Sequence, residues 1–140
     1  MSAPLSIRFD PEVLGRLRSR VASIPGATPS GLAQRLVDEG LRMAEHPGVV
    51  FRDGPAGRRP SLIVGPDIWE LVTFLSTIDE RGAAAVSAAA EVFAVPESAI
   101  EVGIAYYGAY PAEIDAWVAE SETASARAER EWERRETLLS

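Results

Sequence analysis

Leu5, Ile7 and Phe9 alternate with Ser6 and Arg8, and two helical patterns follow at once without a second strand for this one to pair with. A period of two predicts a strand with one buried face, which leaves Ser6 and Arg8 together on the exposed one. Asp10, Pro11 and Glu12 then read as an N-cap, a proline at the first helical position and an acid at the positive end of the dipole. Leu14, Leu17, Val21 and Ile24 make one apolar stripe over residues 11–24, which PGA ends. Thr28, Pro29 and Ser30 repeat the start signal, and Leu32, Leu36, Val37, Gly40 and Leu41 carry a second helix to about Glu45. One strand and two short helices in ~45 residues bury too little surface to stand alone, and a lone strand leaves its backbone groups unpaired. A second copy answers both needs. Two strands paired antiparallel over an intertwined four-helix core would make a ribbon that fits the DNA major groove.

Charge divides the chain in the same sense. The net charge is −7, yet residues 1–60 hold nine arginines against six acids (+3) and residues 61–140 hold five against fifteen (−10). The first part is thus suited to a polyanion and the second to a basic surface. Arg8, Arg16, Arg18 and Arg20 supply the basic start. With 46% hydrophobic and 25% charged residues the composition is that of a folded chain. There is no cysteine, so no disulfide or thiolate metal site can form. MSAPLSIRFD lacks the apolar core of a signal peptide, and no apolar run reaches the ~20 residues of a membrane span. A cytoplasmic protein with no membrane contact is expected.

LSIRFDPEVLGRL followed by PGATPSGLAQRLVDEGL resembles the ribbon-helix-helix DNA-binding module of the CopG, Arc and MetJ type. The resemblance implies that Ser6 and Arg8 read base edges and that the backbone amides around Thr28, Pro29, Ser30 and Gly31 grip phosphate. Arginine is the best bidentate reader of guanine, and helix N-termini attract anions, so both roles are physically sound. Pro29 departs from the pattern by removing one amide donor. The alternative is an amphipathic dimerisation arm, with Arg16 and Arg20 solvated on an outer face.

After the break at His46, Pro47 and Gly48, VVFRDGPAGRRPSLIV predicts a hairpin of strands 49–52 and 59–64. Pro66 and Asp67 open a helix with Ile68, Leu71, Val72 and Leu75 along one side. An alanine-rich helix, a hinge at Ala94 and Val95 and a restart at Pro96 have the proportions of a helix-turn-helix. The HPG start, the FRDG-PAGRR loop and the YYGAYPAEIDAW end are similar to a small domain of unknown function found in VapB-like bacterial antitoxins and related regulators. The second helix of this pair offers Glu97 and Glu101 and no arginine, so it is expected to be structural or protein-facing. Arg52, Arg58 and Arg59 of the hairpin either touch DNA backbone or are solvated. Trp69, Phe74, Phe93, Tyr106, Tyr107 and Trp117 are read as core or dimer contacts.

Residues 120–140 are charged and rich in helix formers, with Trp132, Leu138 and Leu139 the only large apolar groups. They read either as a helix ordered by a partner or as a solvated extension of the preceding one. The antitoxin resemblance implies that this segment wraps a cognate toxin. For a PIN-domain ribonuclease, whose active site is a cluster of magnesium-binding carboxylates, Arg127, Arg130, Arg134 and Arg135 are the candidates to enter that site. Trp132, Leu138 and Leu139 are the anchors.

Catalysis has no visible basis: His46 is the only histidine, Asp79–Glu80 and Glu120/Glu122 lie in polar stretches, and no nucleophile or phosphate-loop motif occurs. No cofactor or metal site is expected. The sequence therefore predicts a mainly α chain with short β segments. Its parts are a ribbon-helix-helix module over 1–45, a β-hairpin and helix-turn-helix domain over 46–119, and a charged helix over 120–140. The functional expectation is a dimeric or higher-order bacterial antitoxin of a type II toxin-antitoxin system that represses its own operon at operator DNA and neutralises a toxin. The alternative is a stand-alone dimeric transcriptional regulator.

Overall fold

The computed structural model describes residues 3–140, which form six helices and one two-stranded sheet. They fall into two compact units divided between Ala44 and Glu45.

The first unit contains α1 (Pro11–Ser23) and α2 (Pro29–Glu45). Pro11 sits at the first position of α1, and the Asp10 carbonyl accepts the Leu14 N–H at 2.9 Å. Asp10 is the N-cap in backbone conformation, but its side chain makes no capping bond. Gly26, at φ 76°, turns the chain between the helices. Thr28 does cap α2: its Oγ1 accepts the Gly31 N–H at 3.1 Å, three residues on. The strand expected over residues 5–9 is not formed. Residues 3–10 have no regular secondary structure, because a strand exists only through a neighbour's hydrogen bonds and the single chain offers this segment none.

The second unit opens with β1 (Val49–Arg52) and β2 (Arg59–Leu62), paired antiparallel with Val49 opposite Leu62 and Phe51 opposite Pro60. The expected second strand ran to residue 64 but ends at Leu62. There the chain turns through Gly65 so that the Leu62 N–H reaches the Pro66 carbonyl at 3.0 Å. α3 (Ile68–Thr77) begins with a capping box in which the Asp67 side chain accepts from the Glu70 backbone and Glu70 Oε1 accepts the Asp67 N–H. α4 (Ala83–Phe93) and α5 (Glu97–Ala109) meet at a bend of 111°, made possible by Ala94 in the left-handed region at φ 54°. α6 (Pro111–Leu139) is unbroken across residues 119–120, so the charged terminal segment is the second half of one helix.

The core of this unit joins two clusters, Val49, Leu62, Ile68, Tyr106 and Ile114, and Leu71, Ala89, Val95 and Ile100. Tyr106 is fully buried and lies edge-on to Phe51 and His46. Gly103 lets α5 approach α3, since a Cβ there would lie 2.5 Å from Leu71 Cδ2. No single helix among the described residues is long and apolar enough to cross a membrane.

Candidate functional site

Three surfaces carry the residues singled out from the sequence. On the first unit, Ser6 and Arg8 are exposed in the irregular segment ahead of α1, and Arg16, Arg18 and Arg20 are exposed on α1. Thr28, Pro29, Ser30 and Gly31 form the exposed first turn of α2. That turn offers fewer donors than expected: Pro29 has no N–H, and the Gly31 N–H is held by Thr28. Ser30 is exposed in the same turn.

The same unit presents an apolar groove of about 450 Å³ lined by Phe9, Val13, Leu17, Ala33, Leu36 and Val37, with Arg16 and Arg20 at its edge. Leu36, Val37, Leu41 and Met43 on α2 are exposed, as are Leu5 and Ile7. Leu32 is the one buried apolar side chain among the described residues of this unit. Arg42 pairs with Asp38 at 3.2 Å, and Arg35 Nε approaches the buried Glu39 at 3.8 Å, so these α2 arginines are braced by acids one turn away.

The hairpin arginines are held by groups of their own unit. Arg52 donates to the carbonyls of Leu62 and Ile63, at 3.2 and 2.7 Å, and Arg58 pairs with Asp53 at 3.3 Å. Arg59 donates through Nε to Asp67, whose carboxylate also accepts from Ser61 Oγ and, at 3.2 Å, from Trp69 Nε1. Asp67 is 8% exposed, and these donors with the α3 backbone satisfy it. Sequence reading saw Asp67 only as a helix start. The missed signal is the R-P-S alternation on β2, which points Arg59 and Ser61 to one face six to eight residues before an Asp-x-Trp.

Beside this hub lies a second cavity, of about 380 Å³, between the hairpin loop and α6. Trp69, Trp117, Pro55, Ala56 and Ala124 wall it, and Glu120 and Ser121 stand on its α6 side. Trp117 is therefore a surface-cavity residue rather than a closed core residue. Along α6 beyond it, residues 122–139 are all exposed, including Arg127, Arg130, Trp132, Arg134, Arg135, Leu138 and Leu139. The helix keeps these side chains on one rod but does not gather them at one point.

Among the described residues no group of three histidines, aspartates or glutamates is placed to hold a metal ion. No family model, curated protein or solved structure matches this chain.

Proposed function

We propose that the chain is an antitoxin: a dimeric repressor that binds operator DNA through its first unit and a toxin protein, an RNA-cleaving PIN-domain enzyme, through α6. One observation carries the reading. The first unit is a half-built fold, with a strand-patterned segment that has no ladder partner, a single buried apolar side chain and a row of exposed ones on α2. A second copy supplies what is missing: residues 5–9 pair antiparallel, Leu5, Ile7 and the α2 row close a shared core, and Ser6 and Arg8 come out on the ribbon's outer face. The basic sign of this region in an acidic chain favours a polyanion as the ligand.

The C-terminal part of the proposal rests on α6. A helix of 29 residues runs about 43 Å, and its second half is exposed throughout, Trp132 and two leucines included. Trp and Arg are the commonest anchors of protein interfaces.

The test is a gel shift on the chain's own promoter. Arg8→Ala should abolish tight binding and leave the dimer intact. Affinity should fall steeply with salt, with a log–log slope of about −0.9 per phosphate contacted. A flat salt profile, or an unchanged shift for Arg8→Ala, rejects DNA readout by the ribbon.

A further inference from the structure

Helical projection of α6 at 100° per residue places Ile114, Trp117, Ser121, Ala124, Ala128 and Trp132 on one face, which continues through Arg135 to Leu139. The face begins in the core, where Ile114 is fully buried and Trp117 and Ser121 are half-buried, and then runs on exposed. The cavity walled by Trp69, Trp117 and Ala124 lies where the covered part gives way to the uncovered part. Cavity and bare helix face are therefore one seam.

We infer that this seam is a single docking surface, and that the cavity takes an apolar side chain carried by the toxin that α6 binds. The inference rests on the antitoxin reading and extends its interface from the terminal helix into the hairpin. Three features fix the chemistry of the occupant. Of the cavity's charged lining, Asp67 already holds Arg59, Ser61 and Trp69, so that part of the floor asks for no polar ligand, and Glu120 stands apart from it on the α6 side. Its walls are two indole rings, a proline and two alanines, which reward an aliphatic or aromatic group. On the projecting half, Glu122, Glu129, Glu133 and Glu136 lie on one side of the seam, and Arg127, Arg130 and Arg134 outnumber Glu131 on the other. A complementary partner is an apolar ridge with basic residues along one flank and acidic residues along the other. The second copy of this chain fits less well, because an antiparallel α6 pair sets the glutamate row against itself near Glu129.

The experiment uses the full chain co-expressed with the toxin encoded beside it, and reads hydrogen exchange across the complex. Protection is expected over residues 53–58 and 117–124 as well as 125–139. Ala124→Arg, at an exposed helix position that tolerates the change, should weaken the complex at least about tenfold, as the loss of a central contact does. The same variant should leave operator binding and thermal unfolding unchanged. Ala56→Trp, which fills the cavity from the loop side, should act in the same direction. Protection confined to 125–139, with wild-type affinity for both variants, overturns the cavity's role and leaves the α6 reading standing. Protection of 53–58 and 117–124 that depends on protein concentration without toxin gives the cavity to a second copy and overturns the proposal. Absence of any complex overturns the antitoxin reading itself and the inference with it.

Discussion

The two units solve the folding problem in different ways. Residues 45–140 enclose nine buried hydrophobic side chains, from Val49 to Ile114, whereas the described residues before them enclose one, Leu32. The second unit satisfies its polar groups internally, as the Asp67 hub shows, while the first leaves both a strand pattern and an apolar α2 row without partners. Since folded stability is a small surplus over conformational entropy, a unit with one buried apolar side chain has no surplus of its own. The lesson is that the same chain holds one unit that closes its own core and one that, on the proposed reading, a second copy completes. Stability should then be intrinsic in one unit and concentration-dependent in the other.

The sharpest way to break the comparison is to remove the centre of the self-sufficient unit. Tyr106 is fully buried against Phe51, His46 and Tyr110, so Tyr106→Ala should cost about 3–5 kcal/mol. Urea unfolding followed by tryptophan fluorescence measures it, because Trp69 and Trp117 both lie in this unit. A loss under 1 kcal/mol would mean that the core is not the cooperative block described above.

Dilution is the corresponding test for the first unit. If a second copy completes it, each hundredfold fall in protein concentration should lower its stability by about 2.7 kcal/mol, while the second unit's transition stays in place. Val37→Asp, on the exposed α2 row, should mimic dilution by putting a charge where the partner's apolar surface belongs. Helix content by circular dichroism at two concentrations separates the outcomes. A transition independent of concentration, and indifferent to Val37→Asp, would show the first unit to be as self-sufficient as the second.

Within the second unit, Gly103→Ala sharpens the account of how α5 meets α3. The added Cβ would meet Leu71 Cδ2 at 2.5 Å, so the buried Leu71 side chain or the helices must give way, and a loss of about 1–3 kcal/mol is expected in the same urea experiment. Ala94→Gly works in the opposite direction. Ala94 ends α4 at φ 54°, where a side chain is strained and glycine is not, and the substitution should stabilise by about 0.5–1 kcal/mol after the entropy of the freer unfolded chain is counted. A loss instead of a gain would show that the Ala94 methyl group contributes packing that outweighs its backbone strain.

The contrast also explains what could be read in advance. The helices from Pro11, Pro29 and Ile68 were legible because proline, capping residues and the 3.6-residue stripe coincide at each start, and β1 because Val49 to Arg52 lies between HPG and the glycine-proline loop. The strand over residues 5–9 was legible as a pattern but has no neighbour within one chain, since pairing is a property of two segments and sequence shows only one. The cavity at Trp69 and Trp117 was hidden for another reason. Those residues are 48 positions apart, and only the packing of α3 on α6 brings them to one cavity, with Pro55 and Ala56 of the hairpin loop beside them. Helical spacing reported both tryptophans as apolar without saying that they meet at a surface.

The smallest expected effect tests whether the exposed end of the second unit behaves as solvated surface. Tyr107 donates its hydroxyl to Asp115 at 2.8 Å, joining α5 to the start of α6. That hydrogen bond, with smaller contributions from burial and from the carboxylate's charge, holds the phenol above its ordinary ionisation range, because losing the proton would break the bond and set two negative charges together. A raised folded value means that the bond's contribution is complete below the unfolded tyrosine's pKa and disappears as pH climbs through the folded one. At neutral pH it is therefore fully present, and only alkaline titration exposes it. Ultraviolet titration of the phenols should include a late step from Tyr107, and Asp115→Asn should bring that step back towards the ordinary range with little change in unfolding at pH 7. An unchanged titration in Asp115→Asn would place the cause elsewhere than in the carboxylate, and a large loss of stability would show this contact to be part of the core rather than its rim.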